Sequence, residues 1–113
     1  MAFVLTEGHF TTEAEAIAEI VARGMRVVGP FDLGAEDNEL HWHDFDSVVY
    51  VLDGTARVEF EDGSVMQCGA GARVEAPAGT VHRESGPGYR SVIGLSVDVA
   101  AMTQPVNKPL PVS

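Results

Sequence analysis

From Thr12 to Arg23 the apolar positions Ala14, Ile17, Ile20 and Val21 recur at helical spacing. Thr11 or Thr12 supplies an N-cap, Glu15 completes a capping box three residues after Thr12, and Gly24 follows as a stop. The pattern predicts one short amphipathic helix. Beyond Met25 the rhythm changes to short apolar runs cut by Gly, Pro and Asp-Gly. Strands are predicted over Arg26–Leu33, Glu39–His43, Ser47–Leu52, Ala56–Glu61, Ser64–Cys68, Arg73–Ala76, Val81–Glu84 and Tyr89–Val99. Val58 and Phe60 alternate with Arg57, Glu59 and Glu61, which turns one strand face to a core and the other to water. Asp62-Gly63 between two such runs predicts a hairpin of type I′, a turn that needs positive φ. Eight strands without a second helix of comparable quality make the chain all-β, a closed barrel or jelly roll with a short N-terminal helix.

A length of 113 residues allows one domain with one core. The expected organisation is an N-terminal segment with the helix (1–24), the barrel (25–101) and a proline-rich C-terminal arm (102–113). Pro105, Pro109 and Pro111 favour extended chain in the arm, either disordered or laid across a second subunit.

Charge and cysteine content narrow the partners. A formal net charge of -10 repels phosphate backbones and anionic lipid, so neither nucleic acid nor a membrane is an expected partner. Cys68 is the single cysteine, which excludes an intramolecular disulfide and suits a reducing compartment. The first residues lack a basic, then apolar, leader pattern, and the expected location is cytoplasmic. Met66, Met102 and Cys68 read as core filler.

The candidate chemistry lies in three of the four histidines. In a strand, His41 and His43 at i and i+2 project to the same side and suit one ion, while Trp42 points the other way. Imidazole nitrogen accepts Zn, Cu, Fe and Ni, so the pair alone does not choose a metal. A His-x-His pair by itself equally suits surface or core imidazoles.

Its context is more specific. Gly34-Ala-Glu-Asp-Asn-Glu-Leu-His41-Trp42-His43-Asp-Phe-Asp-Ser47, closing at Gly54, resembles the first motif of the cupin superfamily, with six residues rather than five after Gly34. Gly71-Ala-Arg-Val-Glu-Ala-Pro77-Ala78-Gly79-Thr80-Val81-His82, ending at Gly86, resembles the second, with Gly86 where the family has Asn. The resemblance implies a double-stranded β-helix, a homodimer, and one divalent transition metal (Fe, Zn, Ni or Mn) held by His41, His43 and His82. Ser47 stands where the family's Glu usually completes the metal set. Asp46 is adjacent, but by alternation it shares a face with Val48 and Tyr50 and reaches the metal only if a bulge re-aims it.

For function, the resemblance implies a small-molecule ligand at open coordination positions. One reading is a dioxygenase with a three-His centre, in which Ser47 donates to bound water or substrate, with Tyr50, Arg83 and Tyr89 as further orienting candidates. A second is a non-redox isomerase or cyclase that uses Glu84, two residues after His82, as acid or base. A third is a binding cupin without turnover.

Overall fold

The computed structural model describes residues 3–35, 37–98 and Lys108. Among them lie strands β1 (Val4–Thr6), β2 (Arg26–Leu33), β3 (Ser47–Phe60), β4 (Val65–Cys68), β5 (Arg73–Ala76), β6 (His82–Glu84) and β7 (Gly88–Leu95), with helix α1 (Glu13–Ala22) between the first two strands. The arm expected over 102–113 lies outside the described residues except for Lys108.

Strand β3 organises the fold. Its first half pairs with β5 and β7 in a sheet ordered β1-β5-β3-β7-β2, and its second half pairs with β4 and β6 in the other. The sequence divided this strand at Asp53-Gly54, yet hydrogen bonding continues through the break as an irregularity between Val51 and Asp53. Gly54 makes the corner possible. It has φ +83°, and a Cβ there would stand 2.7 Å from the Gly88 carbonyl oxygen and 2.8 Å from the Tyr89 Cα, so no other residue fits without displacing backbone.

The helix begins as its sequence predicts. The Thr12 hydroxyl accepts from the Glu15 N–H at 3.2 Å, and the Glu15 carboxylate accepts from the Thr12 N–H at 3.0 Å. At the other end Gly24 N–H donates to the Val21 carbonyl and Met25 N–H to the Ile20 carbonyl, the paired bonds of a Schellman motif. Ala16 and Ile20 are buried with Val48, Tyr50 and Val92 on the outer face of the larger sheet. A second cluster of Val51, Ala56, Cys68, Ala72 and Val74 joins the sheets.

Three expectations change. The Glu39–His43 segment is not a continuous strand but holds isolated bridges, His41 to His82 and Trp42 to Lys108. The short β1 carries no alternation long enough to announce itself, and it forms because β5 offers it an edge. The Asp62-Gly63 hairpin has three loop residues rather than a two-residue type I′ turn. Phe60 N–H donates to the Ser64 carbonyl at 2.9 Å and Gly63 N–H to the Phe60 carbonyl at 3.0 Å, leaving only Gly63 at positive φ, +89°. The Asp62 carboxylate accepts from the Ser64 N–H at 2.9 Å and competes for that shape.

Candidate metal centre and cavity

The bridge between His41 and His82 brings two distant parts of the chain side by side. Each backbone N–H donates to the other's carbonyl, at 2.8 and 2.9 Å. His43 joins them through the turn that carries Pro77 and Gly79: the Gly79 N–H donates to the His43 carbonyl at 2.8 Å. The three rings lie with centroids 4.5, 5.0 and 5.2 Å apart, and one ligand atom from each falls within 4.8 Å of the others.

The protonation of two rings follows from their partners. His41 Nδ1 is 2.7 Å from the Glu39 carbonyl oxygen and His82 Nδ1 is 2.9 Å from the Thr80 carbonyl oxygen. A carbonyl only accepts, so each Nδ1 carries the proton, and in the neutral ring Nε2 presents a lone pair. Backbone carbonyls that orient imidazoles in this way are a usual support of metal-binding histidines.

Glu84 faces the same space. Its Oε1 lies 3.3 Å from His82 Nε2 and its Oε2 lies 3.4 Å from His41 Nε2. Two donors bound to one ion at about 2.0–2.2 Å stand roughly 3–3.5 Å apart, so these separations match a shared cation. Asn38 fixes the carboxylate: its Nδ2 donates to Oε2 at 2.9 Å, and the Glu84 N–H donates to Asn38 Oδ1 at 2.8 Å. Burial pushes the Glu84 carboxyl up, while the hydrogen bond from Asn38 pulls it down. The two imidazole lone pairs and this carboxylate form a set of acceptors without a donor, which fits a cation.

These groups open onto a cavity of about 420 Å³. Its walls are chiefly apolar, with Phe3, Val49, Val58, Met66 and Ile93 among them. Phe3 also packs on the His82 ring at 4.8 Å between centroids.

Ser47 lines the cavity, on the strand face its parity predicts. Asp46 is exposed and turned away from the histidines. Its Oδ1 accepts from the Ala78 N–H at 2.8 Å and so pins the turn that carries the second motif. Tyr50 points to the helix, where its hydroxyl donates to Glu19, and Arg83 pairs with Asp37 and Glu59. Of the four orienting candidates only Ser47 and Tyr89 line the cavity. Asn38 and Phe3 were not anticipated, since a polar residue in a loop and an aromatic residue near the N-terminus carry no periodic signal. His9, outside both motifs, bonds to Glu19 at 2.8 Å.

Among curated proteins none matches the chain. Solved structures do. A protein of the DUF861 family from Thermotoga maritima is 18% identical with a TM-score of 0.58, covering 83% of this chain and 99% of its own. Protein NMB1881 from Neisseria meningitidis is 26% identical with a TM-score of 0.51, covering 64% of this chain and 82% of its own. Acireductone dioxygenase from Bacillus anthracis, with a cadmium ion in its active centre, is 18% identical with a TM-score of 0.55, covering 76% of this chain and 60% of its own. The cupin domain model matches residues 31–97, a span that contains all three clustered histidines and strands β3 to β7, and the chain belongs to the cupin family.

Proposed function

We propose that this cupin is a metal-dependent small-molecule dioxygenase in which His41, His43 and His82 hold one divalent ion. The observation that carries the reading is the opening of a three-imidazole cluster onto a half-open, largely apolar cavity. Bound there, an iron, manganese, nickel or zinc ion supplies coordination positions and polarises the donor atom it takes; iron, manganese or nickel also suits oxygen chemistry. The chain does the rest. The Glu39 and Thr80 carbonyls lock two rings in the tautomer that binds. Phe3, Val49 and Val58 keep water from the reacting centre. Ser47, on the wall, orients the ligand.

A second reading, a non-redox isomerase or cyclase, is favoured by one observation: the Glu84 carboxylate lies within 3.4 Å of two of the imidazoles, where it can take a proton from a ligand. The two readings separate on one experiment. Protein purified without a metal-affinity column is analysed for metal, then given a lipophilic β-diketone while dissolved oxygen is followed. Stoichiometric iron with oxygen uptake supports the dioxygenase. Zinc with isomerised or cyclised product and no uptake supports the second. Absence of any transition metal at near-stoichiometric level overturns both.

A further inference from the structure

The charge of the ligand is written in where this chain keeps its cations. The sequence holds seven Lys and Arg residues. Arg23 pairs with Glu75, Arg57 with Glu59, Arg73 with Glu19, and Arg83 with Asp37 and Glu59. Arg90 pairs with Glu13 and Asp32, and Lys108 lies near Asp44 and over the Trp42 ring at 5.8 Å. Arg26 is exposed at the start of β2. None of the seven lines the cavity.

A phosphate, sulfate or carboxylate held away from the ion would therefore sit against apolar walls without a countercharge. Burying an unpaired charge is costly, and the one ionisable acid on the wall, Glu84, repels it. Of the polar residues on the wall only Ser47 and Tyr89 stand outside the cluster at the metal end, and neither carries a positive charge. His41, His43, His82, Glu84 and Asn38 form one connected cluster, which leaves Val28, Val58, Met66, Val74 and Ile93 for a hydrocarbon body. A volume of about 420 Å³ lies within the usual range for small-molecule sites, about 300–1,000 Å³.

We propose that the ligand is largely hydrocarbon, with oxygen donors gathered at one end for the ion and no anionic group elsewhere. This rests on the metal-dependent reading above for its polar end only; the apolar end stands on the walls of the cavity.

The test is calorimetric titration of the zinc-loaded protein, and of the metal-free protein in parallel, with benzoylacetone and with its para-carboxylate. The neutral compound is expected to bind the loaded protein at least about thirtyfold more tightly, and each methylene added to its far end to tighten binding about fourfold until the cavity is full. Placing a cation at the rim, where Phe31 is 41% exposed and lines the cavity, with Phe31→Lys is expected to narrow the difference between the two compounds at least about fivefold. Equal or tighter binding of the carboxylate to the wild-type protein overturns the proposal, and so does failure of both compounds to bind. Equal binding of the neutral compound with and without zinc, still preferred over the carboxylate, keeps the ligand class and overturns the metal-dependent reading instead.

Discussion

Asn38 and Glu84 grip each other at three points: side-chain amide to carboxylate at 2.9 Å, Glu84 N–H to the Asn38 side-chain oxygen at 2.8 Å, and Asn38 N–H to the Glu84 carbonyl at 3.2 Å. The carboxylate is held beside the histidines by a partner 46 residues earlier in the chain. This relation makes Glu84→Gln a sharp experiment. The amide keeps the shape and loses the charge, and zinc affinity is expected to fall about tenfold or more by competition with a chromophoric chelator. Asn38→Ala, which frees the carboxylate without removing it, is expected to fall by less than Glu84→Gln.

Removal of a histidine is expected to act at least as strongly. His82→Ala is expected to lower the metal content of the purified protein at least about tenfold by elemental analysis. Asp46→Ala, at a residue turned away from the rings, is expected to leave metal content close to wild type. Equal loss of metal in the two variants refutes the assignment.

Alkaline stability has a predicted shape. Burial, then the hydrogen bond to Glu19 and its charge, push the Tyr50 phenol up to about 12. A group whose folded value is raised stabilises fully below its unfolded value near 10, and that contribution is lost as pH rises toward 12. Denaturant unfolding at a series of pH values is expected to show a fall of about 2–3 kcal/mol across this window. Tyr50→Phe is expected to flatten it, at a cost near neutrality of about 1–2 kcal/mol for the lost hydrogen bond.

The helix seat is tight at Gly94. A Cβ there would stand 2.9 Å from Ile20 Cγ2 and 3.0 Å from Val48 Cγ1. Gly94→Ala is expected to destabilise the fold by about 1–3 kcal/mol, read from the midpoint of thermal or denaturant unfolding, with the metal site unchanged.

Much of this was legible in the chain. The helix ends were fixed by Thr12, Glu15 and Gly24, local groups that act within one turn, and the structure keeps them within a residue. β2 and β5 run over the predicted ranges, because short apolar runs and flanking turn residues agree there, with clean alternation in β5. The parity of Ser47 and Asp46 held, since neighbouring residues of a strand face opposite ways. What failed to show was pairing between distant segments. His41 belongs to a bridge rather than a strand because its partner is His82, and no local pattern encodes that. Asn38 is invisible for the same reason. The placement of Glu84 against two imidazoles follows from the same long-range bridge, although its side of the strand was readable from its distance to His82.

One strand runs through both sheets, and that settles how the interior can be reached. The sheets cannot part without tearing β3, which carries strand partners on both edges at Ser47–Tyr50 and again at Val58 and Glu59. β2 is tethered differently: its only strand partner among the described residues is β7, and Val28, Phe31 and Leu33 from it line the cavity. Breathing of the vessel therefore falls to β2, and in hydrogen exchange its amides should open well before those of β3. The door and the frame are separate pieces of chain, so substitutions that change how fast a ligand enters can leave untouched the residues that hold the metal.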